Sequence, residues 1–392
     1  MTINRCALPF HLMIKPAGPA CNLACAYCFY LEKAALYPGK PTRMEDATLE
    51  CVVAAYLGAH PGPKVTFAWQ GGEPLLMGLD FFKRVIALQR QYARPDQRIE
   101  NALQTNGILI DDHWAEFLAE HRFLVGISID GPAELHDQYR RDRGGHPSHT
   151  RVLNAIRTLQ RHEVAPNALA TVNNVNVAHP LRIYRFLTGL GIEHLQFIPI
   201  VEAEKRGSRK VMPFTVRPEQ CGHFLCTIFG EWSLNEVGKI FIQWFESALN
   251  VWLGGSPTLC IFAPTCGRAM AIEHNGDLYA CDHFVYRDCL RGNFTPDTAK
   301  NLVDGYAQST FGAAKADLSG QCRNCPVLRF CGGDCPKHRL HLGKDGKLLS
   351  YLCPALKAFF THSAPVLQAM AGEIRAGRPA SNVMAVLQEL RR

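Results

Sequence analysis

Apolar and polar positions along the first half of the chain alternate in a way that predicts strands and helices in turn. Six short runs rich in apolar residues have the length of buried strands. Between them lie segments with apolar residues three or four positions apart, as on one face of a helix. The predicted strands are Phe10–Lys15, Val65–Trp69, Arg98–Thr105, Phe123–Asp130, Asn167–Val172 and His194–Ile200. The predicted helices are Asp46–Leu57, Leu79–Tyr92, Asp111–His121, Arg151–Gln160 and Pro180–Leu190.

Strands that alternate with helices predict a parallel sheet with right-handed crossovers. Six βα units are fewer than the eight that close a TIM barrel, so we predict an α/β fold with a partial, open (β/α)6 TIM-like barrel. Asp46, Asp111 and Thr150 are predicted to cap three of the helices at their N-termini. Functional residues of such barrels collect at the C-terminal ends of the strands, and the most distinctive loops of this chain follow the predicted strands there.

The rest of the chain has a different pattern. Residues 256–360 are rich in cysteine, glycine and proline and only weakly periodic, so we expect them to fold around metal rather than around a large apolar core. Ala364–Arg392 is predicted to form two short helices. We therefore predict three domains: a barrel with linker helices over 1–240, a cysteine-rich domain over 241–372 and a helical tail over 373–392.

Composition and charge reduce the number of protein classes to which this chain could belong. Apolar residues make up 47% and charged residues 20% of the 392, which is typical of a soluble globular protein. The net charge of +7 is spread along the chain, and its densest basic stretch, 205–209, lacks aromatic residues, which favours a solvated loop over a nucleic-acid site. No run approaches the ~20 apolar residues of a membrane helix, and no export signal is visible. We expect a cytoplasmic protein without a membrane partner.

The sixteen cysteines are clustered in a long chain, which favours metal ligation in a reducing compartment over disulfides. Cys21, Cys25 and Cys28 follow the first predicted strand. Three thiolates at this spacing can hold three irons of a cubane and leave the fourth iron open, since such clusters usually take four cysteines. A zinc knuckle is the alternative, but zinc sites favour two paired C-x2-C units, and no second pair follows nearby. The spacing, with the aromatic residues at 27, 29 and 30, resembles that of the radical S-adenosylmethionine (SAM) enzymes.

A second motif, Gly71-Gly72-Glu73-Pro74, follows the second predicted strand. Two glycines let the backbone approach a ligand closely, and the carboxylate of Glu73 can receive an ammonium group. A tight turn would have the same sequence. Combined with the cysteine loop, however, the motif resembles the loop that binds the SAM amino group in that superfamily.

The second half of the chain carries eight further cysteines, enough for two fully ligated cubanes. Two zinc sites or reduced structural thiols are the alternatives, but no histidine is interleaved at zinc spacing. The eight are Cys260, Cys266, Cys281, Cys322, Cys325, Cys331, Cys335 and Cys353.

These cysteine spacings closely resemble the SPASM twin-cluster domain, and within that group the anaerobic sulfatase-maturating enzymes. The resemblance spans nearly the whole chain. It rests on C-N-L-A-C-A-Y-C-F-Y-L-E-K at 21–33, Q-G-G-E-P-L-L at 70–76, C-D-H-F-V-Y at 281–286 and C-G-G-D-C-P-K-H-R at 331–339.

The resemblance implies three 4Fe-4S clusters and SAM as cofactors, with Cys21, Cys25 and Cys28 holding the cluster that binds SAM. It assigns Cys260, Cys266, Cys281 and Cys335 to one auxiliary cluster, and Cys322, Cys325, Cys331 and Cys353 to the other. It implies SAM contacts from Tyr27, Gly72, Ser128, Arg140 and Val201. It also makes Asp282 the catalytic base, whereas by itself an aspartate in such a loop is more typical of a turn or a helix cap.

The activity implied by this resemblance is oxidation of a Cys or Ser side chain in an unfolded sulfatase to Cα-formylglycine. A 5′-deoxyadenosyl radical would remove hydrogen, Asp282 would take a proton and an auxiliary cluster would accept an electron. An electron donor such as flavodoxin or ferredoxin is a further expected partner.

One alternative is another SPASM peptide maturase that makes a thioether or carbon–carbon crosslink. Such enzymes often carry an N-terminal peptide-recognition domain, for which the few residues before the first strand leave no room. A non-catalytic cluster or zinc scaffold is the other alternative. The residues leave open whether the target is Cys or Ser.

Overall fold

The computed structural model describes residues 5–39 and 42–390 and contains all six predicted strands and all five predicted helices. The strands of this part of the chain are β1 His11–Lys15, β2 Lys64–Trp69, β3 Arg98–Thr105, β4 Leu124–Ser128, β5 Pro166–Val172, β6 His194–Pro199, β7 Phe241–Ile242, β8 Ala269–Glu273, β9 Asp277–Tyr279, β10 Leu290–Asn293, β11 Arg339–Leu342 and β12 Leu348–Ser350. The α-helices are α1 Asp46–Ala59, α2 Leu79–Tyr92, α3 Asp112–Glu120, α4 Ala133–His136, α5 His149–Arg161, α6 Pro180–Gly189, α7 Pro218–Asn235, α8 Gln243–Trp252, α9 Ala299–Asp304, α10 Tyr306–Ala313, α11 Gly320–Arg323, α12 Leu328–Cys331, α13 Cys353–Arg375 and α14 Val383–Glu389.

The chain forms two compact units, each built from separate stretches of sequence. The first takes in the described residues of Met1–Ser128 together with Asp137–Pro166 and Cys266–Ala314. The second takes in Ile129–His136, Asn167–Thr265 and Lys315–Arg392. The domains predicted from sequence, 1–240, 241–372 and 373–392, divide the chain by function, and that division stays a prediction.

The sheet of the first unit has β1 at its centre, with β2 on one side and β8 on the other. β1 to β4 are parallel and consecutive, as expected of βα units. β8 also runs parallel to β1, and their register places Lys15 opposite Glu273 at the ends of the two strands. β9 and β10 continue from β8 as an antiparallel meander. Strands from the cysteine-rich half therefore extend the same sheet that carries the first cysteine loop.

The second unit combines the parallel strands β5, β6 and β7 with long helices and the hairpin β11–β12. Its core is aromatic: the rings of Phe245 and Phe359 stack at 5.5 Å between centroids, and Phe229 meets Phe245 edge-on at 5.1 Å. Gly222 lets α7 approach α13 closely, because a Cβ at that position would lie 3.2 Å from the backbone of Ala355.

Some predicted helix ends were wrong. Asp111 does cap α3, since its side chain accepts a hydrogen bond from the N–H of Trp114 at 2.9 Å. Asp46, however, is the first residue of α1 rather than its cap, and α5 begins at His149, before Thr150.

The predicted helical tail also began too late. α13 starts at Cys353 and runs through Pro365 for 23 residues. Pro354 lies in its first turn, where a missing N–H breaks no helical hydrogen bond. No α-helix among the described residues is both long and apolar enough to cross a membrane.

Candidate functional site

The loop after β1 brings Cys21, Cys25 and Cys28 close enough for their charges to interact. Burial raises the pKa of the Cys21 thiol to about 12, with smaller contributions from Glu73 and from the other two cysteines. Near neutral pH a thiolate at Cys21 therefore requires a cation beside it, as iron would provide. The three sulfur donors fit the three protein-bound irons of an open cubane.

The segment 139–142 pairs with this cysteine loop, a contact that the sequence did not predict. The N–H of Ala24 donates to the carbonyl of Arg141 at 2.8 Å, and the N–H of Ala26 donates to the carbonyl of Tyr139 at 3.1 Å. This pairing places the predicted SAM ligands Tyr27 and Arg140 together, with the guanidinium carbon 5.4 Å from the centre of the Tyr27 ring. Both side chains are buried.

The G-G-E-P loop lies against the residues that precede Cys21. The N–H of Gly72 donates to the carbonyl of Gly18 at 2.9 Å, and the N–H of Glu73 donates to that of Ala20 at 2.8 Å. A Cβ on Gly72 would lie 2.0 Å from the carbonyl oxygen of Ala20. Glycine is required at position 72 because backbone packs on backbone here.

The carboxylate of Glu73 is fully buried and ties two loops together. It accepts hydrogen bonds from the N–H of Leu75 at 3.0 Å, the hydroxyl of Thr105 at 2.8 Å and the N–H of Asn106 at 2.8 Å. Burial raises the pKa of Glu73 to about 7, although these hydrogen bonds oppose the rise. Glu73 therefore has an internal bracing role, and its contact with the SAM amino group stays a prediction.

Asn106 is a site residue to which the sequence reading gave no role. Its side-chain amide donates to Asn22 Oδ1 at 2.7 Å and lies 3.6 Å from the sulfur of Cys21. Asn106 thus links the end of β3 to the cysteine loop. An N–H group beside a cluster sulfur is one of the means by which a protein adjusts a reduction potential.

The two remaining predicted SAM contacts lie at strand ends. Ser128 is the last residue of β4 in the first unit and is buried. Val201 follows β6 in the second unit and is also buried. Their contacts with SAM stay predictions.

Four of the later cysteines line one cavity in the second unit: Cys322, Cys325, Cys331 and Cys353. Burial raises the pKa of Cys331 to about 12, and the charges of Cys322 and Cys325 add to the rise. Burial also raises the pKa of Cys353, and the charges of the same two cysteines add to this rise. The resemblance implied that these four hold a single auxiliary cluster, which stays a prediction, and four sulfurs suit a fully ligated cubane.

The other predicted set has two members in each unit. In the second unit, Cys335 is buried and lies within electrostatic reach of Cys260. In the first unit, the buried side-chain amide of Gln308 donates to the carbonyls of Gly267 and Ala280, at 2.8 and 3.0 Å. These two residues are direct neighbours of Cys266 and Cys281. Gln308 therefore holds both segments of this unit that carry predicted ligands, and no sequence pattern indicated it.

The motif Cys331-Gly-Gly-Asp-Cys335 makes an unusual turn. Gly332, Gly333 and Asp334 all have positive φ, at +53°, +75° and +59°. A Cβ on Gly332 would lie 2.3 Å from the carbonyl oxygen of Phe262. The strained aspartate is held by the Ser350 hydroxyl at 2.6 Å and by His338 Nδ1 at 3.1 Å. This turn separates Cys331 from Cys335, which the resemblance assigns to different clusters.

Asp282 follows Cys281 directly and begins a short 3-10 turn that ends at Phe284. Its carboxylate forms an ion pair with the ammonium of Lys15, the last residue of β1. The loop after β9 therefore reaches the end of the strand that leads into the first cysteine loop. The ring of the next residue, His283, contacts Phe29 of that loop edge-on at 5.8 Å.

Within residues 5–39 and 42–390, no three His, Cys, Asp or Glu side chains converge as they would around a single metal ion.

Comparison with known sequences gives the class of the protein. Residues 16–187 match the radical SAM superfamily, and residues 260–326 match an iron–sulfur cluster-binding domain of the SPASM type. The chain is a radical SAM enzyme with a SPASM domain.

Relatives that match nearly the whole chain identify the family within this class. A serine-type anaerobic sulfatase-maturating enzyme of Bacteroides thetaiotaomicron is 42% identical over 98% of this chain and 96% of its own length. A cysteine-type enzyme of Clostridium perfringens is 33% identical over 94% of this chain and 100% of its own length. The chain belongs to the family of anaerobic sulfatase-maturating enzymes.

A solved structure of native anSMEcpe with bound AdoMet and Kp18Cys peptide superposes with a TM-score of 0.84. The two sequences are 33% identical, and the superposition covers 93% of this chain and 99% of the solved one. This similarity confirms the predicted α/β fold with a partial barrel and a SPASM domain.

We predict that Gly72→Ala displaces the residues before Cys21, because the new methyl group would meet the Ala20 carbonyl. Anaerobically reconstituted protein should then lose about four irons, one cluster's worth, together with SAM cleavage. Gly230→Ala is the matched control, since Gly230 lies in α7 with open space around its Cβ position. Full iron content and SAM cleavage in Gly72→Ala would contradict the tight contact.

We predict that Gly332→Ala disrupts the turn between Cys331 and Cys335 and removes at least about four irons, measured by iron analysis. Gly346→Ala is a control for backbone conformation, because Gly346 also has positive φ, at +78°, but has no atom near its Cβ position. An equal iron loss in both variants would mean that φ alone is responsible. Loss in Gly332→Ala alone would identify the Phe262 carbonyl contact.

Proposed function

We propose that this enzyme oxidises a Cys or Ser side chain of an unfolded sulfatase polypeptide to Cα-formylglycine. Similarity over nearly the full length to both serine-type and cysteine-type enzymes supports this proposal. So does the related structure described with AdoMet and a peptide. The observation that carries it is the place of Asp282, next to a predicted cluster ligand and in contact with the buried Lys15.

The proposed cofactors are three 4Fe-4S clusters and SAM. Cys21, Cys25 and Cys28 would hold the first cluster. When bound, that cluster and SAM would supply the radical that removes a hydrogen atom from the target Cβ, and an auxiliary cluster would supply the acceptor for a second electron.

The task proposed for this chain's own residues is to hold the peptide and remove a proton. Loss of one hydrogen atom, one electron and one proton is a two-electron oxidation, and it converts the carbon–sulfur or carbon–oxygen single bond into a double bond. Asp282 would accept the proton from the target thiol or hydroxyl, which requires the carboxylate to lie within hydrogen-bond reach of it. An alcohol gives the aldehyde directly, whereas a thioaldehyde exchanges its sulfur for the oxygen of water.

We propose that the chain is divided by function into three domains. A barrel over 1–240 would carry out SAM chemistry, residues 241–372 would form the auxiliary-cluster domain, and residues 373–392 would form a helical tail. The proposed partners are the sulfatase polypeptide and an electron donor such as flavodoxin or ferredoxin.

We predict that Asp282→Asn still cleaves SAM but loses peptide oxidation at least about a hundredfold, the usual contribution of a general base. The amide has nearly the same shape as the carboxylate but cannot take the proton. 5′-Deoxyadenosine and peptide aldehyde would be quantified from the same anaerobic reaction. Asp297→Asn, an exposed aspartate in the same region of the chain, is the control. Normal aldehyde formation by Asp282→Asn would refute the base assignment.

Cys21→Ala is expected to behave differently from Asp282→Asn. Without Cys21 the first cluster lacks one of its three ligands, so SAM cleavage itself should stop. SAM cleavage at the normal rate by this variant would contradict the assignment of the first cluster.

The substrate class is tested with paired sulfatase peptides that differ only in Cys or Ser at the target position. We expect an aldehyde from one peptide or both, detected by mass spectrometry after labelling with a hydrazine. A product that has lost two hydrogen atoms but resists the hydrazine would instead indicate crosslinking chemistry, and no reaction of either peptide would refute the proposed function.

A further inference from the structure

Lys15 is a buried cation that the functional assignments leave without a role. Its side chain is 2% exposed, although lysine is almost never fully buried unless it is paired. Its backbone carbonyl accepts the N–H of Gly18 at 3.0 Å. A Cβ on Gly71 would lie 3.1 Å from the Lys15 Cβ, so the G-G-E-P loop confines the stem of this side chain.

The ammonium of Lys15 has three neighbours in the first unit. It forms the ion pair with Asp282 and lies 4.1 Å from the centre of the Tyr30 ring. Glu273 lies opposite on β8, in register with Lys15. The cation therefore has one direct ion-pair partner and one aromatic face beside it, and the charge of Glu273 lies within electrostatic reach.

Glu273 is linked to this cation through Tyr30 and through its charge. Glu273 is fully buried and accepts a hydrogen bond from the Tyr30 hydroxyl through Oε1. Burial raises the pKa of Glu273, whereas His274 and Lys15 lower it and Asp282 raises it. The charges of Lys15, Glu273 and Asp282 are thus coupled in one group.

The surroundings of this group are apolar and include the first cysteine loop. Tyr30 packs with Ala271, Tyr279 and Val285, and Cys28 packs against that cluster. Water has little access, since the Asp282 side chain is only 15% exposed. Because a buried carboxylate depends on its partners for orientation, the direction of the Asp282 side chain depends on Lys15.

We propose that Lys15 is a positioning residue that aims the Asp282 carboxylate at the substrate, and that Glu273 and Tyr30 hold Lys15 in place. The proposal rests on the proposed role of Asp282 as the base. It adds a residue of β1, and its partner on β8, to the machinery that couples SAM cleavage to peptide oxidation.

The readout is the amount of peptide aldehyde formed per 5′-deoxyadenosine, measured with iron content and thermal stability in the same preparations. Lys15→Met keeps the length of the side chain and removes the charge. We expect normal iron content and SAM cleavage, with aldehyde per 5′-deoxyadenosine reduced at least about tenfold. Lys15→Arg keeps the charge and should recover part of this loss.

Lys33→Met is the matched control. Lys33 is another buried lysine of the first unit. Its ammonium lies 3.7 Å from the centre of the Tyr286 ring and pairs with Glu32 at 2.7 Å, so both of these contacts are with residues other than Asp282. Replacing it should leave aldehyde per 5′-deoxyadenosine unchanged. The comparison separates the loss of any buried lysine from the loss of this one.

The double variant Lys15→Met/Asp282→Asn tests whether the two residues act as one unit. Its loss of coupling should be no greater than that of Asp282→Asn alone, whereas independent effects would multiply. Multiplied effects, unchanged coupling in Lys15→Met, or loss of iron and SAM cleavage in that variant would each overturn the proposal.

Failure of the inference can be told apart from failure of the proposed function. If Asp282→Asn itself keeps normal coupling, the base assignment is wrong. If Asp282→Asn loses coupling and Lys15→Met keeps it, only the role of Lys15 is wrong. Should Lys15→Met fail to fold, Lys15→Gln serves in its place as the neutral variant, and normal coupling in folded Lys15→Gln would refute the proposal.

Discussion

The parallel pairing of β1 with β8 is the constraint on which the arrangement of the first unit depends. It brings a strand from the cysteine-rich half of the chain against the strand that leads into the first cysteine loop. Because side chains alternate between the faces of a strand, a shift of one residue would turn Glu273 away from Lys15. β9 then runs antiparallel to β8, away from the end where Lys15 lies, and the loop that follows β9 brings the Asp282 carboxylate into an ion pair with the Lys15 ammonium.

Close contacts between backbones fix the loops that carry the predicted ligands in both units. Gly72 and Gly332 each face a carbonyl oxygen at a distance that no Cβ could tolerate. Side-chain amides and carboxylates then join neighbouring loops, as Glu73 and Asn106 do in the first unit. A cluster held by flexible loops would let its irons move, whereas backbone packing and buried hydrogen bonds restrict such motion. The glycines and polar residues around the cysteines therefore help to fix the positions of the sulfurs.

The strands and helices of the first half could be predicted from sequence because apolar periodicity reflects one buried face. Helix ends were less predictable. Thr150 resembles a cap, but α5 begins at His149. The start of α13 was placed too late because Cys353 was read as a cluster ligand in an irregular region, although it also begins a helix of 23 residues. Both errors concern positions where tertiary contacts outweigh local preference.

The sequence by itself determined the class of chemistry, because cysteine spacing is a local property and a three-cysteine loop with G-G-E-P has few other uses. Its resemblance to a known family also pointed to Asp282, directly after Cys281, although an aspartate in such a loop by itself predicts a turn or a helix cap. Only the tertiary structure decided what surrounds that aspartate: Lys15, Glu273 and Tyr30 come from distant parts of the chain and have ordinary neighbours in sequence. A charge buried between two strands leaves no periodic signal, since its partners are chosen by register and burial rather than by spacing.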